Sequence, residues 1–176
     1  INPKPIDDLK ASISSGTYTF SGTPIEPEVS VKDGWFYSLE KDKDFTVEYE
    51  NNVNAGTAKA TITGIGNYTG TKELTFTIER KSINTSTVAV SGTYTYTGEA
   101  IIPTIVDGDT ELKVGEDNDY TATYSNNTNA SIDTKKATVT ITGKGNYKGS
   151  KTVYFTIEPK SIADFSATVN ETFTYD

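Results

Sequence analysis

The chain has 176 residues, with 16 Lys and Arg against 24 Asp and Glu and a formal charge of −8, so a phosphate backbone is repelled and nucleic acid is excluded as a partner. It contains no His and no Cys, which removes Ser-His-Asp and Cys-His nucleophile systems, histidine zinc sites, disulfides and thiolate metal centres together. No apolar stretch approaches the roughly 20 residues of a membrane helix, and no signal-peptide pattern precedes Ile1, so the chain reads as an internal fragment with no membrane insertion.

Taken in chain order, the first landmark is Gly16-Thr17-Tyr18-Thr19-Phe20. Pro24 and Pro27 follow and interrupt the next strand region; each removes a ladder donor, which places that strand at a sheet edge. Residues 32–43 hold a turn with Trp35-Phe36-Tyr37. Phe45-Thr46-Val47-Glu48-Tyr49 then alternates apolar with polar, the period of a strand with one buried and one wet face. After a turn rich in asparagine (Asn51, Asn52, Asn54), residues 58–64 put Ala60 and Ile62 on one side with threonines opposite. The glycine turn Gly64-Ile65-Gly66-Asn67-Tyr68-Thr69-Gly70 leads to a strand signal at Leu74, Phe76 and Ile78. No stretch carries apolar residues at i, i+3, i+4 and i+7, so no helix is expected.

Everything then happens again. Gly143-Lys144-Gly145-Asn146-Tyr147-Lys148-Gly149 repeats the glycine turn with Asn67 and Asn146 standing 79 residues apart, and Lys81-Ser82-Ile83 returns as Lys160-Ser161-Ile162 at the same interval. Gly92-Thr93-Tyr94-Thr95-Tyr96, Tyr120-Thr121-Ala122-Thr123-Tyr124, Asn126-Asn127-Thr128-Asn129-Ala130, the alternating run with Val139 and Ile141, and Val153, Phe155 and Ile157 fall in the same order, with Pro103 in the place of the earlier prolines. The spacing grows from 75 at Ala55 and Ala130 to 79 at Ile62 and Ile141, which puts a four-residue insertion, and hence a surface loop, at residues 131–136. Three divisions follow: a first repeat over residues 1–79, a second over 80–158, and the truncated start of a third over 159–176. The junction Glu79-Arg80-Lys81-Ser82-Ile83 has no glycine or proline slack, which predicts a stiff connection and an elongated pair of modules. Turns every eight to twelve residues suit an antiparallel β-sandwich of short strands.

The run Tyr94-Thr95-Tyr96-Thr97-Gly98, Ile102-Pro103, the strand from Asp119 to Tyr124, the asparagine turn and the GxGNYxG turn together resemble tandem bacterial Ig-like repeats of the MBG/YDG type. The resemblance covers nearly the whole chain. It implies an all-β protein of two tandem immunoglobulin-like antiparallel sandwiches, from a secreted or wall-attached protein of Gram-positive bacteria. It also implies a spacer, presentation or adhesion role beside other domains of the same polypeptide, and it offers no catalytic residue to carry over.

Among candidate sites, the glycine turns lack the helix N-terminus a phosphate loop needs and are expected to supply positive φ in a hairpin, with Tyr68 and Tyr147 closing one end of a core. Asn51, Asn52, Asn54, Asn126, Asn127 and Asn129 are read as turn formers rather than sugar ligands. The sequons at Asn67, Asn84, Asn126, Asn129 and Asn170 are incidental in a bacterial protein. Trp35, Phe36 and Tyr37 are the sharpest functional hint, because the second repeat has Asp109-Thr110-Glu111 there; a Trp beside a Tyr on a loop forms a stacking platform for a glycan or a protein partner, whereas the bland reading, which large aromatics usually obey, packs them into the first repeat's core or against a neighbouring module. Asp107, Asp109, Glu111, Glu116, Asp117 and Asp119 crowd one stretch and make a weak calcium candidate, above all Asp107, Asp109, Asp117 and Asp119, though the spacing fits no EF-hand. No isopeptide triad is identifiable. The expectation is therefore a monomeric, extracellular, non-catalytic spacer and interaction module without cofactor, whose partner is a surface protein or glycan; its alternative is a carbohydrate-binding module using the aromatic loop of the first repeat.

Overall fold

The computed structural model describes residues 2–85, 87–115, 119–132 and 134–166. It is all-β, in several small sheets, and a 3₁₀ turn at Ile162–Asp164 is the helical element among the described residues. The chain divides into two compact units, Ile1–Ser82 with Gly143–Lys148, and Ile83–Thr142 with Gly149–Asp176.

The first unit contains β1 (Lys4–Pro5), β2 (Lys10–Ile13), β3 (Thr17–Thr19), β4 (Val29–Asp33), β5 (Tyr37–Ser38), β6 (Phe45–Glu50), β7 (Gly56–Gly64), β8 (Tyr68–Thr69), β9 (Thr71–Glu79) and β10 (Lys81–Ser82). The long ladders are antiparallel: β6 on β7 from Phe45 opposite Gly64 to Glu50 opposite Lys59, and β7 on β9 from Gly56 opposite Ile78 to Thr63 opposite Thr71. With β3 they form a four-stranded sheet in the order β3-β9-β7-β6, and β2-β4-β5 form a second sheet. The alternation foreseen in residues 58–64 is realised, since Ala58, Ala60 and Ile62 are all fully buried.

The core draws on both sheets. Val31 of the three-stranded sheet and Phe45 and Ile62 of the four-stranded one are buried together with Ile6, Leu9 and Leu39, and Tyr68 and Leu74 pack against them. A second cluster of Ala58, Phe76 and Ile78 is covered by Ile13, Phe20 and Ile25, with Tyr18 and Tyr49 meeting the Phe76 ring edge-on at centroid distances of 5.6 and 6.4 Å. Each fully buried Phe or Ile contributes about 1.5–3 kcal/mol of apolar transfer, so these two clusters hold the sheets together without a disulfide.

The second unit repeats the plan with β11 (Val88–Ser91), β12 (Tyr94–Thr95), β13 (Thr104–Asp107), β14 (Thr110–Glu111), β15 (Tyr120–Ser125), β16 (Ala137–Gly143), β18 (Ser150–Phe155) and β19 (Ile157–Glu158); β17 (Tyr147–Lys148) falls in the first unit. Its sheets run β11-β13-β14 and β15-β16-β18. Ala137, Phe155 and Ile157 form a buried cluster flanked by Val90, Tyr94 and Ile101, with the Tyr94 and Phe155 rings edge-on at 5.6 Å. The insertion at 131–136 is a loop in which Ser131 closes onto Ile157 by two hydrogen bonds, and Asp133 lies outside the described residues.

Two expectations need correction. The pairing is not wholly antiparallel: β1-β8, β3-β9, β10-β17 and β12-β19 are parallel. These are stretches of two or three residues in which one segment borders another, too short to impose a sequence alternation. The prolines also do not mark an edge strand. Pro24, Pro27 and Pro103 lie in the extended segments ahead of β4 and β13, and those strands are central in their sheets. With the prolines outside the ladder, no donor is lost from it, and Pro27 instead accepts a hydrogen bond from the Tyr49 hydroxyl on its carbonyl.

Within the first unit, Lys4 N donates to Asn67 O and Lys81 N to Asn146 O, both at 2.8 Å, so the two GxGNYxG turns each seat a parallel strand in the same way. Lys72 Nζ donates to the carbonyls of Asp7 and Leu9, and in the second unit Lys151 Nζ donates to those of Thr85 and Val88. Of the truncated third repeat, Ile162 is exposed although Ile6 and Ile83, which follow matching lysines, are fully buried; residues 167–176 lie outside the described residues.

Candidate functional site

Most of the residues singled out in the sequence prove to be structural. In the glycine turns two different needs are met. Gly66 and Gly70, like Gly145 and Gly149, have φ between +50° and +88°, the left-handed region glycine enters freely. Gly64 and Gly143 do not; a Cβ there would stand 2.7 and 2.8 Å from the backbone of Thr69 and Lys148, so the side chain is excluded by contact alone. Tyr68 packs against the first core cluster and Tyr147 is buried edge-on to Phe20 at 5.7 Å.

The asparagines likewise build turns. Asn51 and Asn126 take positive φ of 55° and 54°. Asn52 Nδ2 donates to Ile25 O at 3.1 Å while Ile25 N donates to Asn52 O, and Asn127 makes the same reciprocal clamp with Ile101. Asn54 Oδ1 accepts from Asn146 Nδ2 at 3.0 Å within the first unit.

The acidic stretch is partly structural too. Asp119 Oδ2 accepts from Lys113 N, as buried Asp44 accepts from Glu40 N in the first unit, so this carboxylate caps a loop. Buried Asp107 accepts from Thr87 Oγ1 at 2.7 Å, whereas Asp109 is exposed. Glu116 and Asp117 lie outside the described residues. Among the described residues no three carboxylates gather into a cation site, and no buried side-chain nitrogen or oxygen lacks a hydrogen-bond partner.

The aromatic loop stands apart. Trp35 is 92% exposed, Phe36 102% and Tyr37 52%. The strands that carry them explain why: β4 and β5 pair Asp33 with Tyr37, so Gly34, Trp35 and Phe36 form the loop at the tip of a hairpin, with Gly34 at φ +70°. In the second unit β13 and β14 pair Asp107 with Thr110, and the loop is only Gly108-Asp109, with Gly108 at φ +60°. The first unit therefore has a longer tip with two large rings where the second has a carboxylate.

Beside the tip lies a depression of about 650 Å³ lined by Trp35, Lys4, Lys10, Lys32, Asp8 and Asp33. Lys4 Nζ pairs with Asp33 Oδ1 at 2.5 Å, and the Tyr68 hydroxyl donates to Asp33 Oδ2 at 3.3 Å. Burial pushes the Tyr68 phenol above its usual range and the Asp33 charge adds to this, so Tyr68 stays a donor. Among the described residues Lys10 and Lys32 make no ion pair. They are direct cross-strand partners on β2 and β4, where side chains lie about 4.5–5.5 Å apart at Cβ and like charges repel.

The counterpart of this lysine pair can be fixed from shared contacts. Lys72 reaches Leu9 O as Lys151 reaches Val88 O, and Leu39 N reaches Val31 O as Leu112 N reaches Ile105 O. Stepping one residue along gives Ala89 opposite Val106 in place of Lys10 opposite Lys32. Sequence reasoning found the aromatic tip but missed the lysines, because Lys10 and Lys32 stand 22 residues apart and only the strand register joins them.

No family model matches the chain, and no curated protein matches it. No helix among the described residues is long and apolar enough to cross a membrane.

Proposed function

We propose that the chain is a non-catalytic interaction and spacer module of an extracellular bacterial surface protein, made of two tandem Ig-like sandwiches, presenting other domains of its polypeptide and adhering through the hairpin tip of the first unit. The observation that carries the reading is the full exposure of Trp35 and Phe36 on a loop whose sister is Gly108-Asp109. Large rings held in water have no packing role, and exposed aromatics on a hairpin tip are what a binding surface requires. Asn52, Asn127, Asp44 and Asp119 are committed to turns and caps, which favours a scaffold over an enzyme. The resemblance to MBG/YDG-type repeats supports the extracellular setting.

Carbohydrate is the partner class we favour, because the exposed Trp35 ring borders an open depression of about 650 Å³ whose lining includes Lys4, Asp8, Lys10, Lys32 and Asp33. The full chain on a glycan array, with Trp35→Ala alongside, tests the reading. Binding that disappears in the variant is the expected result; binding unaffected by Trp35→Ala removes the hairpin from the function.

A further inference from the structure

We infer that the depression beside Trp35 recognises acidic carbohydrate, a sugar carrying carboxylate or sulfate groups, with Lys10 and Lys32 holding the anion and Trp35 stacking on the ring. This deepens, and rests on, the reading of the hairpin as a binding tip.

The argument begins from the energetic oddity of the lysine pair. Two ammonium groups directly opposite each other on neighbouring strands are a destabilising arrangement, and the second unit shows that the fold does not need it, since it places Ala89 opposite Val106 at the same point. The chain is acidic overall at −8, and carboxylates able to neutralise the pair are available in the composition. Even so, among the described residues neither Lys10 nor Lys32 has one within ion-pair distance, whereas nearby Lys4 is paired with Asp33.

The positive charge is therefore local, unpaired and adjacent to the exposed tryptophan. Asp8 also lines the depression and subtracts one charge, so the site suits a sugar bearing isolated anionic groups. A bound carboxylate or sulfate would bridge the two ammonium groups and relieve their repulsion, with charge-assisted hydrogen bonds that neutral sugars cannot offer. A tryptophan face complements the apolar face of a pyranose ring. All three groups differ in the second unit, so the specificity belongs to the first unit alone.

Trp35 is the one tryptophan in the chain, so its emission reports the site directly. The full chain is titrated with a sulfated heparin oligosaccharide, a sialic acid oligomer, a neutral chito-oligosaccharide, polyglutamate and phosphatidylserine vesicles. Variants are Lys10→Ala with Lys32→Val, which installs the pair the second unit already tolerates, and Trp35→Ala, followed by calorimetry.

The expected result is saturable binding of the two acidic sugars and not the other probes. It weakens as salt rises from about 50 to 200 mM, as screening of exposed charge contacts requires. The lysine variant is expected to lose affinity by at least about tenfold while its thermal stability holds or rises. Neutral and acidic sugars binding alike, with the lysine variant unchanged, overturns the acidic specificity and leaves the hairpin reading standing. Equal response to polyglutamate or vesicles overturns it as mere charge attraction. Binding of no probe in a Trp35-dependent manner overturns both.

Discussion

Replacing Gly64 by alanine should destabilise the first unit through a contact that backbone dihedrals do not reveal. The new methyl would stand 2.7 Å from Thr69 N and 2.9 Å from Tyr68 C, and both are backbone atoms that cannot swing aside as a flexible side chain would. The β8 segment must shift, and with it the parallel pairing of Lys4 with Tyr68 and the packing of Tyr68 on the first core cluster. Forced overpacking of this kind costs about 1–3 kcal/mol, against which the stiffer unfolded chain of alanine returns about 0.4–1 kcal/mol; a net loss of about 1–2 kcal/mol remains. Gly66, two residues on, should behave differently. Its φ is +66° and its Cβ would meet Lys43 O only at 3.4 Å, so Gly66→Ala pays a left-handed backbone penalty that asparagine largely avoids. Differential scanning calorimetry of Gly64→Ala, Gly64→Asn, Gly66→Ala and Gly66→Asn resolves the two mechanisms, since 1 kcal/mol moves the Tm of such a unit by about 4–8 °C. Asparagine should rescue position 66 and worsen position 64. A Gly64→Ala protein as stable as the parent, or an asparagine that rescues both sites equally, would refute the steric account.

Further outcomes follow from the same contacts. Phe76→Ala should cost about 3–5 kcal/mol by opening a cavity under Tyr18 and Tyr49, read as a lowered denaturant midpoint for the first unit. Asn52→Ala should cost about 1 kcal/mol by stripping Ile25 O of its side-chain donor, and Asn127→Ala should do the same in the second unit. Burial raises the Tyr120 phenol from 10 to about 12, with the nearby Tyr124, Glu111 and Asp119 adding to it. Its folded pKa lies above the unfolded one, so the stability it lends is complete below pH 10 and drains away as pH climbs towards 12. Tyr120→Phe, which copies Phe45 of the first unit, should blunt the alkaline unfolding of the second unit in a circular dichroism titration. Finally, a fragment of residues 1–82 should be less stable than the same residues in the full chain, because it lacks the partner of β10 and the Tyr147 ring beside Phe20; hydrogen exchange at the β10 and Phe20 amides would show the loss.

The repeat itself was legible because period-two alternation in β6, β7 and β9 is long enough to register in sequence, and because glycine and asparagine turns recur at fixed intervals. The parallel borders were not legible, since pairs such as Lys4 with Tyr68 involve two residues apiece and leave no pattern. Pro24, Pro27 and Pro103 misled for a related reason: a proline in extended backbone looks the same whether it lies in a ladder or just ahead of one. At the candidate site the aromatic tip showed up as a difference between the copies at Trp35. The lysine pair could not, as each lysine alone is an ordinary surface residue and only the pairing of β2 with β4 makes them neighbours.

The seating of Lys72 and Lys151 has a chemical corollary. A side-chain nitrogen held by two hydrogen bonds to carbonyls of its own chain must break those contacts before it can reach a reagent, so acylating reagents should find these two amines last. Lys10 and Lys32, open to water and without an ion pair among the described residues, should be acylated among the first, and a peptide map of reagent uptake would carry its own slow internal standard in each half of the protein.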